Sequence, residues 1–153
     1  MSQKTHAVPP PLDARTQAKL RAAFHEAGRF IAAKHFKVAE VSGLHPLAKG
    51  ARFAGKTIYS PTSPFNEAVI GWAGALAEMV FAHQPDKWEV IRQTAWEMFA
   101  ENMLSKADSD LIASLKEKRK TFNAAAKIIK DNFDQTKDAA LNLARFDSIH
   151  NFP

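Results

Sequence analysis

Apolar positions recur at three- to four-residue spacing over most of the chain, and this period predicts helices. Leu20, Phe24, Ala27 and Ile31 form one stripe, joined by Ala23. With Asp13 as N-cap they predict an amphipathic helix from about Asp13 to about His35. Gly28 lies well inside it, at a cost of about 1 kcal/mol relative to Ala, so it signals close packing of another element. Ser63-Pro64 predicts a second helix start, with Ser as N-cap and Pro at the first helical position. Val69, Trp72, Ala73, Leu76, Ala77 and Val80 are its buried side, and Gln84-Pro85 ends it. Asp86-Lys87-Trp88-Glu89 resembles a capping box and opens a third helix, with Trp88, Ile91, Ala95, Met98 and Phe99 inward. Ser105-Lys106-Ala107-Asp108 restarts the chain. A long helical pattern follows through Leu111, Leu115, Phe122, Ala125, Ile129 and Phe133, with a break near Asp134 before Ala140, Leu143 and Ala144.

Between Lys37 and Ser60 the period changes. Val38 to Val41 and Lys56 to Tyr59 read as two short strands. The segment between them, with Gly43, Pro46 and Gly50, reads as loop. The expected class is mainly α (α+β): four to five helices with a small two-stranded β element. Residues 1–12, with Pro9-Pro10-Pro11, read as a flexible tail, and residues 13–150 as a single domain.

Composition narrows the chemistry. The chain has 153 residues, long enough to bury a core without covalent staples, and its 46% apolar and 24% charged content is ordinary. It has no cysteine, which excludes disulfides, thiolate zinc sites and cysteine nucleophiles. No apolar run approaches the roughly 20 residues of a membrane span, so a soluble, cytoplasmic protein without membrane contact is expected. The net charge is +5, from 21 basic and 16 acidic residues. The only dense basic cluster is Lys116-Glu117-Lys118-Arg119-Lys120, which reads as a solvated helix face. Trp72, Trp88, Trp96 and the eleven Phe read as packing residues.

The stretch richest in chemistry is His25-Glu26-Ala27-Gly28-Arg29. A helical H-E-x-x-H sets two imidazoles on one face as zinc ligands, with the glutamate beside them as general base. Here the first His and the Glu are present, but Arg29 stands where the second His belongs. A guanidinium is always charged and has no lone pair for a metal. His6, His35, His45, His83 and His150 sit at no helical spacing that replaces it.

Further segments extend the likeness. Ala23-Phe24-His25-Glu26-Ala27-Gly28 resembles the A-Y-H-E-A-G-H-A helix of the FtsH-type zinc metallopeptidase domain. Val41 through Thr57 resembles the strand pair that follows that helix, Ala73 through Phe81 its L-A-G-R-A-A-E-E helix, and Ala107-Asp108-Ser109-Asp110-Leu111 its A-S-N-D-L segment. Ala126 onward resembles its closing helix, so the likeness covers about residues 18 to 146. The resemblance implies an FtsH-type peptidase-like fold, with His25 and Asp110 as vestigial metal ligands and Glu26 as a vestigial catalytic base. The segment before Asp110 is longer than in the family, and the chain is expected to act without the family's AAA unfoldase and membrane anchor.

Catalytic zinc takes three protein ligands plus water, and this set offers two. Two readings of Arg29 stand side by side. It replaces the zinc electrostatically, pairing with Asp110, Glu26 or both; or it forms an ordinary exposed i,i+3 pair with Glu26. The expected function is a catalytically inactive metallopeptidase-fold protein that binds a protein complex of a host and carries no cofactor. The resemblance extends this to a mobile-element inhibitor, from phage or plasmid, of a complex such as a CRISPR effector. Two alternatives remain: an active zinc peptidase with an unusual ligand set, and a basic helical nucleic-acid binder acting through Lys116, Lys118, Arg119 and Lys120.

Overall fold

A computed structural model describes residues 13–47, 52–82, 87–113 and 116–150. The predicted tail, Gly50, His6, His83, the Gln84-Pro85 stop, the Asp86 cap and Leu115 lie outside them. Six helices and three strands follow in the order α1 (Ala14–His35), β1 (Ala39–Pro46), β2 (Phe53–Tyr59), α2 (Pro64–Ala82), α3 (Trp88–Ala100), α4 (Lys106–Ala113), α5 (Lys118–Asp131), α6 (Phe133–Phe146) and β3 (Ser148–His150). The mainly helical class holds. The helix and strand counts both exceed expectation: six helices rather than four to five, and three strands rather than two, among the described residues.

The extra helix comes from a break between α4 and α5 inside the long C-terminal pattern. The expected break near Asp134 falls at Asn132, where α5 gives way to α6 and the Asn132 side chain turns back to the Ile128 carbonyl at 2.8 Å. The apolar period runs across both breaks because each helix buries a face on the same core. Caps were more legible. Asp13 Oδ1 accepts from the Thr16 amide at 2.7 Å, and Ser63 Oγ from the Asn66 amide at 3.1 Å.

The sheet is antiparallel in the order β2-β1-β3. β1 runs through Gly43 and ends at Pro46, residues that read as loop in the sequence. β3 lies on the other side of β1, pairing Ser148, Ile149 and His150 with Gly43, Ser42 and Val41. The inward face of the hairpin sets Ser42 and Thr57, both buried, over α1.

α2 is the hub. Ala68 to Ala77 are all buried, and Trp72 lies at its centre. The Trp72 indole stacks on Trp96 of α3 with ring centroids 5.4 Å apart, meets Phe122 of α5 edge-on, and donates to Thr121 Oγ1 at 3.1 Å. The α1–α2 crossing explains Gly28. A Cβ there would sit 2.3 Å from the Ala73 carbonyl oxygen and 2.5 Å from Ala77 Cβ. Both obstacles belong to a buried helix, so relief requires the helices to separate. Gly28→Ala is therefore expected to destabilise by about 1–3 kcal/mol despite Ala's better helix propensity, read as a lowered urea midpoint. A stability gain would show that the crossing is slack.

Candidate functional site

α1 supplies the first side chains. Its face at His25, Glu26 and Arg29 looks toward β2, α2 and the start of α4 across an open cleft of about 870 Å³. The helical period sets His25 and Arg29 one turn apart on that face, with Arg21 one turn earlier.

His25 is held at both ring nitrogens. Nδ1 lies 2.6 Å from Glu78 Oε1 on α2, and Nε2 lies 2.9 Å from Asp108 Oδ2 on α4. Gly74 makes room for the ring, since a Cβ there would come within 2.8 Å of Nε2. Burial alone would push the imidazole pKa down. The hydrogen bonds and charges of Asp108 and Glu78 outweigh it and raise the value to about 10. His25 is thus an imidazolium at neutral pH, with a carboxylate at each nitrogen.

Glu26 is buried beneath the hairpin. Thr57 Oγ1 donates to its Oε1 at 2.9 Å, and Arg29 Nη1 donates to the same oxygen at 3.3 Å. The Glu26 carbonyl oxygen accepts from Ser42 Oγ at 3.4 Å and lies 3.3 Å from Thr57 Oγ1. Arg29 also approaches α4, with Nε 3.7 Å from Asp108 Oδ1. Its side chain is only 15% exposed, so the exposed-pair reading fails and the guanidinium lies inside the site.

Asp108 is fully buried, and this corrects the expectation for Asp110. Asp110 is exposed and pairs with Lys106 of its own helix at 2.9 Å. Two residues around a helix is about 200°, so only one of Asp108 and Asp110 can face the site. Burial raises the Asp108 pKa, but His25 and then Arg29 more than offset this and hold it below its ordinary value. Ser105 caps α4 by accepting from the Asp108 amide at 3.2 Å, which brings the carboxylate to the helix start. Arg29 Nε and Asp108 Oδ1, 3.7 Å apart, are too distant for a hydrogen bond, so charge retains that contact.

Sequence reasoning found His25, Glu26 and Arg29 and missed Glu78, Asp108 and Thr57. Two signals pointed to the missed residues. Glu78 is the only acidic residue between Val69 and Val80 of α2, and Asp108 stands three residues after a Ser in a capping pattern.

The donors do not fit a zinc ion. His25 Nε2 and the Asp108 carboxylate supply two ligands where zinc takes at least three. The third position holds a permanent cation, which repels a dication at short range in a partly dry site. Among the described residues, no other His, Asp or Glu is placed to complete the set.

The other sequence candidates lie elsewhere. Lys116, Arg119 and Lys120 are exposed around the start of α5, with Lys120 3.4 Å from Glu117 and Arg119 stacked 3.7 Å from the Trp96 ring centre. No helix among the described residues is long and apolar enough to cross a membrane. No protein-family model and no curated protein sequence matches the chain, so the site's reading stands on this geometry.

Proposed function

We propose that this chain is a catalytically silent, metallopeptidase-like protein that works as a protein-binding module. The supporting observation is the Arg29 guanidinium between Glu26 and Asp108. In a zinc peptidase the glutamate takes a proton from a water that the metal has acidified. Here Glu26 Oε1 accepts from Thr57 and from Arg29, so the carboxylate is engaged as an anchor. The open cleft beside this ionic cluster then serves binding rather than hydrolysis.

Metal analysis tests the reading. Protein incubated with excess zinc and then desalted is expected to retain far less than one equivalent, and to leave casein and reporter peptides intact. Arg29→His removes the cation and adds an imidazole one turn from His25, so with Asp108 it completes a three-ligand set. That variant is expected to retain about one zinc per chain. Stoichiometric zinc in the wild type, with peptide cleavage, ends the silent reading. An Arg29→His protein that folds but stays metal-free ends the reading of this pocket as a zinc site with one ligand replaced.

A further inference from the structure

The cations on the floor of the cleft have carboxylate partners, but those at its rim do not. Arg21 of α1 and Arg52, just before β2, are exposed and line the cleft. Neither takes an ion-pair partner among the described residues. Lys19, beside the mouth, lies 5.6 Å from the Phe53 ring centre and is already paired with Asp147 at 3.0 Å, so it adds no free charge. Deeper in, the positive groups His25 and Arg29 are already matched by Glu26, Glu78 and Asp108. Two cations on the floor thus face three carboxylates, while at the mouth Arg21 and Arg52 have no carboxylate partner among the described residues.

The same mouth also carries apolar side chains. Leu47 is 42% exposed and Met103 64% exposed, and both line the cleft with Phe53. Large apolar side chains at a concave rim cost free energy in water and mark a contact surface. β2 adds a third feature. It is the edge strand of the sheet, and Phe53 and Gly55 at its start line the cleft. An edge strand offers main-chain donors and acceptors to an incoming strand.

We infer that the cleft receives an extended acidic segment of a partner protein, which adds a strand beside β2, sets carboxylates against Arg21 and Arg52, and seats apolar side chains on Leu47, Phe53 and Met103. The inference rests on the protein-binding reading above and names the partner's chemistry. Alternate side chains of an extended peptide point to opposite sides, so one strand presents an acidic row and an apolar row together. Main-chain pairing supplies affinity in this mode, and the side-chain rows supply selectivity. A nucleic acid would answer the arginines, but it would leave the apolar rim and the strand edge unused.

Fluorescence anisotropy with the full chain tests this. The probe is a labelled ten-residue peptide of alternating Glu and Leu, with a Lys–Leu peptide and a single-stranded DNA ten-mer as comparators. The Glu–Leu peptide is expected to bind, and to bind at least about tenfold more tightly than either comparator. Arg21→Glu with Arg52→Glu is expected to weaken it about tenfold or more, both residues being exposed and outside the buried ionic cluster. A Glu–Leu peptide N-methylated at alternate residues along one edge keeps its charge and loses main-chain donors. It is expected to weaken by a similar factor. Absent binding, equal binding of the Lys–Leu peptide, tighter binding of DNA, or indifference to N-methylation each overturns the inference. Mass spectrometry of the recovered peptide keeps the two readings apart. Cleavage of a bound peptide ends the silent reading and leaves the binding mode standing, whereas an unbound, intact peptide ends the binding mode alone.

Discussion

Asp108→Ala is expected to cost about 3–5 kcal/mol of stability, while Asp110→Ala changes it by less than about 0.5 kcal/mol. Asp108 is fully buried and faces two cations, His25 and Arg29. Removing it leaves both with one fewer counter-charge in a site partly shut off from water. The penalty is chiefly that uncompensated charge rather than the lost attraction, since a buried ion pair as a whole contributes little net stability. Asp110 lies in solvent against Lys106, where such a pair is worth a few tenths of a kcal/mol. Urea unfolding of the two variants measures both. Asp108→Asn keeps the shape and separates charge from volume, and is expected to recover only a minority of the loss. Equal midpoints for the two alanine variants would show that the ionic cluster does not exist as described.

Stability is also expected to fall as pH rises above neutrality. The His25 pKa is about 10 when folded against an ordinary 6.5. Its contribution is complete below about pH 6.5 and is lost as pH climbs through about 10. Between those values the folded state holds a proton that the unfolded chain has released. The slope is of order 1 kcal/mol per pH unit, so several kcal/mol separate the two ends. Asp108 acts at the acid end with the opposite sign. Its folded pKa lies below 3.8, so its contribution is present above 3.8 and disappears as pH falls through the folded value. Together they predict a plateau between about pH 3.8 and about pH 6.5, followed by a long decline through about pH 10. His25→Gln, which cannot titrate, is expected to flatten the alkaline limb. Chemical denaturation at pH 6, 7.5 and 9 provides the comparison, and a wild-type curve flat across that range rules out the imidazolium.

The helices were legible because each carries one apolar face and the caps are local. Asp13 and Ser63 announce their helix starts within three residues, and Val69, Trp72, Ala73, Leu76, Ala77 and Val80, read as one buried side, are all buried. The sheet was under-read because Gly43 and Pro46 are breakers by local chemistry, and it is tertiary pairing that draws them into β1. Three residues of β3 carry no period at all. At the site, the α1 residues were legible because one helix turn fixes them relative to one another. Asp108 and Asp110 were not separable, since choosing between them needs the rotation of α4 against α2. That rotation is set by packing, with Ile112 fully buried and the Asp108 backbone close to Gly71.

The sheet's two borders differ in length: seven residues along β2, and three along β3. Should two molecules join through β2, the united sheet would end on both flanks in the three-residue β3. So short a ladder offers too few hydrogen bonds to recruit a third molecule. Among the described residues, self-association along this border would therefore stop at a symmetric pair rather than extend into a fibre.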